Sequence, residues 1–201
     1  MNIKKIGTNN KLYAAYGSNL NLEQMERRCP YAVPVGSAQL PGYRLLFQGG
    51  KESSVATVEP FEDSSVPVLL WEITPRCEEA LDHYEGWPRL YRKEILTFSM
   101  CEKPVQAMVY IMNDGRRIGT PGQYYYNAIA EGYATAGFDL DILDDAVAVF
   151  ERLSKTERHG DCLLCSNSFY LEDDFDYGTD RLFCEITQGF VEEHDCCVEF
   201  K

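Results

Sequence analysis

The chain has 201 residues, 45% of them hydrophobic and 25% charged, enough for one sizeable core with room for a small appendage. Its formal net charge of −13 sets up a repulsive field against phosphate backbones and anionic lipid headgroups, which argues against nucleic acid and membrane surfaces as partners. No run is apolar for long enough to span a bilayer, and residues 1–12 lead into no signal-peptide core, so the expected address is cytoplasmic. In that reducing setting the eight cysteines are expected to be free thiols, metal ligands or redox groups ahead of a disulfide framework.

In chain order, 13–16 is a short apolar strand that runs into Gly17-Ser18-Asn19. Residues 20–28 have helical composition, with Asn19 or Asn21 as N-cap and Pro30 as the stop. Strands are expected over 44–47, 54–58, 66–73, 91–98 and 105–112, separated by turn residues such as Pro41-Gly42 and Asn113-Asp114-Gly115. A helix between the third and fourth of these has both ends marked, by Thr74 and Pro75 at its start and by Gly86 and Pro88 at its stop. A second begins at Thr120 and Pro121 and runs toward Gly137, and a third covers about 142–155 behind a group of aspartates. Strands grouped around separated helices give an α+β fold with a mixed or antiparallel, barrel-like sheet. Residues 158–201 differ in character: they are rich in cysteine, contain an acidic stretch at 172–176 and have strand-like runs at 182–187 and 197–200. The division is therefore a domain over 1–157 and a small β-rich extension over 158–201.

Four constellations carry possible chemistry. In Tyr16-Gly17-Ser18-Asn19-Leu20, Gly17 permits a backbone conformation that side-chained residues resist, so the chain can turn sharply and aim consecutive N–H groups at one carboxylate or oxyanion. An ordinary strand-to-helix turn accounts for the same residues. In Tyr84-Glu85-Gly86-Trp87-Pro88, Glu85 faces the negative end of a helix, and Trp87 and Tyr91 can shield it, which predicts a raised pKa suited to proton shuttling. A solvated glutamate at a frayed helix end is the plainer alternative. Tyr91, Tyr110 and Tyr124 are either pocket phenols or core tyrosines. Cys162 and Cys165 have the gap of a zinc knuckle, and Cys184 with Cys196 and Cys197 would complete four thiolates. The adjacent later pair suits hairpin geometry poorly, so buried thiols come ahead of a metal site there.

Phosphate-loop, dinucleotide, nucleophile-elbow and zinc-protease fingerprints are missing, and no cofactor is expected.

The ordered set of segments resembles the γ-glutamylcyclotransferases and their AIG2-like relatives. It comprises Tyr13-Ala14-Ala15-Tyr16-Gly17-Ser18-Asn19-Leu20, Leu40-Pro41-Gly42-Tyr43-Arg44-Leu45, Val55-Ala56-Thr57-Val58, Leu70-Trp71-Glu72-Ile73-Thr74, Leu81-Asp82-His83-Tyr84-Glu85-Gly86, Tyr91-Arg92, Val109-Tyr110 and Pro121-Gly122-Gln123-Tyr124. The likeness covers roughly the first 145 residues. It implies a compact barrel with flanking helices and a pocket between the Gly-Ser-Asn loop and Glu85. By that likeness the amides of Gly17, Ser18, Asn19 and Leu20 hold the substrate's α-carboxylate or oxyanion, Glu85 is the general acid/base, and Tyr16, Tyr91, Tyr110 and Tyr124 line the pocket. The implied reaction cyclises a small γ-glutamyl compound to 5-oxoproline and releases an amine. A non-catalytic binding module on the same fold is the alternative.

Overall fold

The computed structural model describes residues 9–156, 168–171, 181–184 and 189–190, with side chains described through residue 150 and at Arg152. Its centre is a closed barrel in the order β1-β3-β2-β4-β5. The strands are β1 Lys11–Ala15, β2 Val33–Gln48, β3 Val55–Ile73, β4 Tyr91–Met100 and β5 Lys103–Met112. Neighbours are antiparallel except at the seam, where β1 meets β5 in parallel at Tyr13 and Met108. The fold is thus α+β with a mixed barrel, as the distribution of strands and helices indicates.

The sequence separates 54–58 from 66–73, whereas the protein joins them into the single long strand β3. Its middle, Glu59 to Ser65, is largely exposed and reads as a turn because it carries Pro60, Glu62 and Asp63. A register shift between Pro41 and Tyr43 on β2 absorbs this excursion while pairing resumes on either side. From Val66 to Trp71 the strand is buried at every position, as expected where a barrel interior lies on one face and covering elements on the other. Phe47, Leu70, Phe98 and Tyr110 fill the core.

Helices α1 Leu22–Arg28, α2 Pro75–Glu85, α3 Gln123–Ala136 and α4 Leu140–Thr156 cover the barrel. Of the two candidate caps for α1 the protein uses Asn21, whose side chain accepts from the N–H of Gln24 at 3.1 Å. Thr74 caps α2 as expected, and Gly86 ends it in the left-handed region at φ 66°. The start of α3 differs: Gly122 is its N-cap, and Thr120 is tied instead to the carbonyl of Lys51 through both its N–H (2.9 Å) and its hydroxyl (3.0 Å). In α4 the buried Leu143, Ala146 and Val149 recur at helical spacing on one face. No helix among the described residues is long and apolar enough to cross a membrane.

Within the extension, β6 Ser168–Leu171, β7 Arg181–Cys184 and β8 Gly189–Phe190 form a separate antiparallel sheet. The expected strand over 182–187 begins one residue earlier, at Arg181; residues 185–187 and the run at 197–200 lie outside the described residues.

Helix α3 crosses the turn after β1 at Gly132, where a Cβ would lie 2.5 Å from Leu20 Cβ, 2.9 Å from Leu20 C and 3.0 Å from Asn21 N. Two of those neighbours are backbone and cannot rotate away. Gly132→Ala is therefore expected to cost about 1–3 kcal/mol, read as a lower midpoint in urea unfolding at unchanged slope.

Candidate active site

The chain leaves β1 at Tyr16, turns at Gly17 and makes a single 3-10 turn, Ser18–Leu20, before α1. The first bonds of that turn run from Leu20 N–H to Gly17 O at 2.9 Å and from Asn21 N–H to Ser18 O at 3.2 Å. The amides of Gly17, Ser18 and Asn19 therefore precede the first intrahelical bond and have no partner within the turn. Leu20 corrects the expectation: its N–H is committed to Gly17, and its side chain is buried in the core. Gly17 sits at φ −107° and ψ −143°, outside both the helical and the extended region. Space is also tight there: a Cβ would sit 3.3 Å from both Ala56 Cβ and the Tyr125 hydroxyl, so either neighbour would have to give by a few tenths of an ångström.

Glu85 is the last residue of α2. Asn19 joins it to the turn by donating from Nδ2 to Glu85 Oε1 at 2.8 Å, and Nδ2 also donates to the Tyr13 hydroxyl at 2.9 Å. The Asn19 Oδ1 accepts from Arg28 Nη1 at 2.6 Å. A carboxylate on one side and a guanidinium on the other fix which end of the amide faces which neighbour.

Turn and glutamate line one cavity. It brings together Tyr16, Gly17, Ser18, Asn19, Glu85, Tyr91 and Tyr110 of the expected set. Tyr124 is not on its lining: it is 82% exposed, and Tyr125 takes its place. Successive helix residues point about 100° apart, so one position changes the face completely. The inward stripe Tyr125, Ala128, Ile129, Gly132 at helical spacing carries the signal that selects Tyr125. Tyr13 and Ala56 complete the lining and are further residues missed from the sequence.

The phenols are largely spoken for. Tyr16 donates to Tyr110 O at 2.6 Å, Tyr91 to Ala56 O at 2.6 Å, and Tyr110 to Asp82 Oδ1 at 2.6 Å. Burial and the nearby Glu85 charge hold Tyr16 and Tyr91 well above the usual tyrosine range, so they stay protonated. Asp82, one turn before Glu85, is bound by Lys93 at 2.6 Å; Lys93 also meets Glu78 at 2.8 Å, and Glu78 meets Lys11 at 2.7 Å. This chain of charges pins α2 to β4 and β1.

Burial lifts the Glu85 carboxyl from the usual 4.5 to about 7, while the Arg28 charge and the Asn19 hydrogen bond pull the other way. Tyr91 lines the same cavity as Glu85. Trp87 does not: it is 46% exposed and its ring centroid lies 4.5 Å from Lys93 Nζ. Among the described residues no three His, Cys, Asp or Glu side chains are grouped to hold a metal ion. Cys162, Cys165, Cys196 and Cys197 lie outside the described residues.

The family described as gamma-glutamyl cyclotransferase, AIG2-like, matches residues 13–128, a stretch that contains every residue of the cavity lining. The chain belongs to this family. A solved gamma-glutamyl cyclotransferase is similar at 25% identity, covering 68% of this chain and 86% of its own, with a TM-score of 0.62. An uncharacterised protein of Homo sapiens is similar at 25% identity, with coverage of 69% and 86% and a TM-score of 0.63. YkqA from Bacillus subtilis shares the fold at 19% identity, with coverage of 69% and 53% and a TM-score of 0.60. No curated protein sequence matches the chain significantly. Family and fold together support a gamma-glutamylcyclotransferase-type activity in general.

The Glu85 shift has a stability consequence. Below pH 4.5 the group is neutral in both folded and unfolded chains. Between 4.5 and about 7 only the unfolded chain ionises, so the folded state loses stability as pH rises through that window. Glu85→Gln, which keeps the acceptor for Asn19 and cannot ionise, is expected to match wild type near pH 4 and to be more stable at pH 8, by up to about 3 kcal/mol in chemical denaturation.

Proposed function

We propose that the protein cyclises the γ-glutamyl unit of a small substrate to 5-oxoproline, with Glu85 as the acid/base group. The observation that carries this reading is that Glu85 and the Gly17 turn line one cavity and are bridged by Asn19, whose Nδ2 donates to Glu85 at 2.8 Å. The reacting groups belong to one molecule, so the site's work is to hold the α-amine against the γ-carbonyl, to move a proton and to stabilise charge on oxygen.

Glu85 as carboxylate takes a proton from the α-amine as its nitrogen bonds to the γ-carbon. The amides of Gly17, Ser18 and Asn19 stabilise the oxyanion of the tetrahedral intermediate, or the substrate's α-carboxylate. Glu85 then returns its proton to the departing nitrogen as the γ-carbon–nitrogen bond breaks. Five-membered lactam and free amine result, with no water consumed and Glu85 restored. A group with a pKa of about 7 suits both halves of this cycle near neutral pH, since neither protonation state is strongly preferred. Tyr16, Tyr91 and Tyr110 act as walls, their hydroxyls being held by protein acceptors.

A panel of γ-glutamyl amides assayed for 5-oxoproline tests the reading. Wild type is expected to turn over at least one, and Glu85→Gln to lose about 10²–10⁴-fold in kcat. Unchanged turnover in the variant overturns the role of Glu85, and binding without turnover in wild type favours a non-catalytic module.

The pH profile supplies a second check. With the base free only when ionised, kcat/KM is expected to rise to a plateau through an apparent pKa near 7. Asn19→Ala removes a hydrogen bond that favours the charged form, so its acid limb is expected to shift to higher pH.

A further inference from the structure

Tyr13 and Tyr16 of β1, Tyr91 of β4, Tyr110 of β5 and Tyr125 of α3 line the cavity with Glu85. Burial is the main influence that holds each of these phenols above the usual tyrosine range, so they are neutral near pH 7. Asp82, one turn earlier on α2, is paired with Lys93 at 2.6 Å. The charge that reaches the carboxyl is that of Arg28, the last residue of α1.

Arg28 is half-buried and divides its guanidinium between two tasks. Nη1 donates to Asn19 Oδ1 at 2.6 Å and to Ser18 Oγ at 3.3 Å, on the turn. Nη2 donates to Gln24 Oε1 at 2.6 Å and to the Tyr84 hydroxyl at 2.7 Å, and the guanidinium lies 3.6 Å from the centroid of the Tyr84 ring. All four acceptors are uncharged. Arg27 beside it is ion-paired with Glu23, whereas no carboxylate of the described residues is within ion-pair distance of Arg28. Its charge is therefore not cancelled locally and acts across the Asn19 amide on Glu85. The amide itself has two orientations related by a half-turn. As it stands, Nδ2 donates to Glu85 Oε1 at 2.8 Å and to the Tyr13 hydroxyl at 2.9 Å, and Oδ1 meets the guanidinium. Reversed, Nδ2 would meet Arg28 as donor against donor, and Oδ1 would meet Glu85, which could bond to it only by keeping a proton. Without Arg28 the first penalty disappears, and a reversed amide and a protonated Glu85 support each other.

We propose that Arg28 is a positioning residue for Glu85: it locks the Asn19 amide in the one orientation that presents a donor to the carboxyl, and with its uncancelled charge it favours the carboxylate form in which the cycle begins. The part Arg28 plays in turnover rests on the cyclisation reading above. Arg28 is not on the cavity lining, so it acts through Asn19 and not by touching the reacting atoms. Its own seat is set by Gln24 and Tyr84, the second of which precedes Glu85 on α2, so the guanidinium is held from both helices that border the turn. A lysine would keep the charge but could not fork to Asn19 and Tyr84 at once.

The test titrates Glu85 directly in the full chain, by carbon NMR of protein labelled at the glutamate carboxyls, with the Glu85 signal assigned by its absence in Glu85→Gln. Wild type is expected to titrate near 7 and Arg28→Gln on the order of one pH unit higher. Arg28→Lys keeps a cation for Asn19 Oδ1 and is expected to stay close to wild type. Gln24→Glu leaves Arg28 in place but gives it a carboxylate one turn earlier on α1, and is expected to move Glu85 upward as well. A midpoint that stays put in Arg28→Gln or in Gln24→Glu, or that moves as far in Arg28→Lys as in Arg28→Gln, would overturn the proposal. Gln24→Glu adds a favourable helix pair, so it carries the test alone should Arg28→Gln fold poorly. The titration needs no substrate, which keeps the two readings apart. A midpoint that moves as expected, with no 5-oxoproline from any γ-glutamyl amide, removes the cyclisation and keeps the control of Glu85 by Arg28. Turnover whose acid limb in kcat/KM stays at the wild-type position in Arg28→Gln, together with an unmoved midpoint, keeps the cyclisation and removes the role of Arg28.

Discussion

The hydrogen bond from Asn19 to Glu85 joins two segments 66 positions apart and is the constraint on which the site depends. Each end is held from outside. The turn that carries Asn19 is fixed at one side by barrel closure, which sets Tyr13 against Met108 and puts the Tyr13 hydroxyl under the Asn19 amide. On the other side α3 presses on it without a side chain at Gly132. The end of α2 that carries Glu85 is held by the left-handed cap at Gly86 and by the charge chain from Asp82 through Lys93 and Glu78 to Lys11. The partners of α2 in that chain lie on β1 and β4, so the position of the carboxyl is set by the barrel as well as by its own helix.

Rigidity in the cavity comes from an economy of polar atoms. Tyr16 and Tyr91 hydrogen-bond to backbone carbonyls, and Tyr110 to a carboxylate that is itself paired. Such bonds fix ring positions and keep the hydroxyls from competing for Glu85. Besides the side chains of Glu85 and Ser18, the polar functions left at the cavity are backbone amides, whose placement is decided by the turn and not by rotamers.

Much of this was legible in the sequence because it is written in short local patterns. The caps of α2, the strand leading into Gly17 and the cluster of strands around separated helices are each decided by a few adjacent residues. The features that were missed depend on distant partners. The polar middle of β3 reads as a turn until its pairing with β2 is seen to resume on either side, Pro41 with Ser65 and Tyr43 with Pro60. Leu20 looks like one of four equivalent amides until the 3-10 turn takes its N–H. Tyr124 and Tyr125 are adjacent and chemically identical, so only the buried stripe along α3 distinguishes them. Trp87 is near Glu85 in sequence, yet the left-handed cap at Gly86 separates the two and the indole lies against Lys93. Cys184 falls in β7, whereas Cys162, Cys165, Cys196 and Cys197 lie outside the described residues.

The placement of Arg28 bears on the chemistry of Glu85. A cation inside the cavity would hold an anionic ligand well, but at that range it would also pull the Glu85 carboxyl down into the ordinary carboxylate range and leave it unable to return a proton. Full burial with no polar contact would do the reverse and leave an acid unable to accept one. Here Asn19 stands between the two, 2.6 Å from the guanidinium and 2.8 Å from the carboxyl, a neutral relay that holds both in register while keeping the cation one side chain away. The opposing influences leave Glu85 near 7, and on the proposed function anion binding within the cavity falls to amides that carry no net charge. On the proposed reaction that division of labour is a requirement, because the same carboxyl must be base at the start of the cycle and acid at its end.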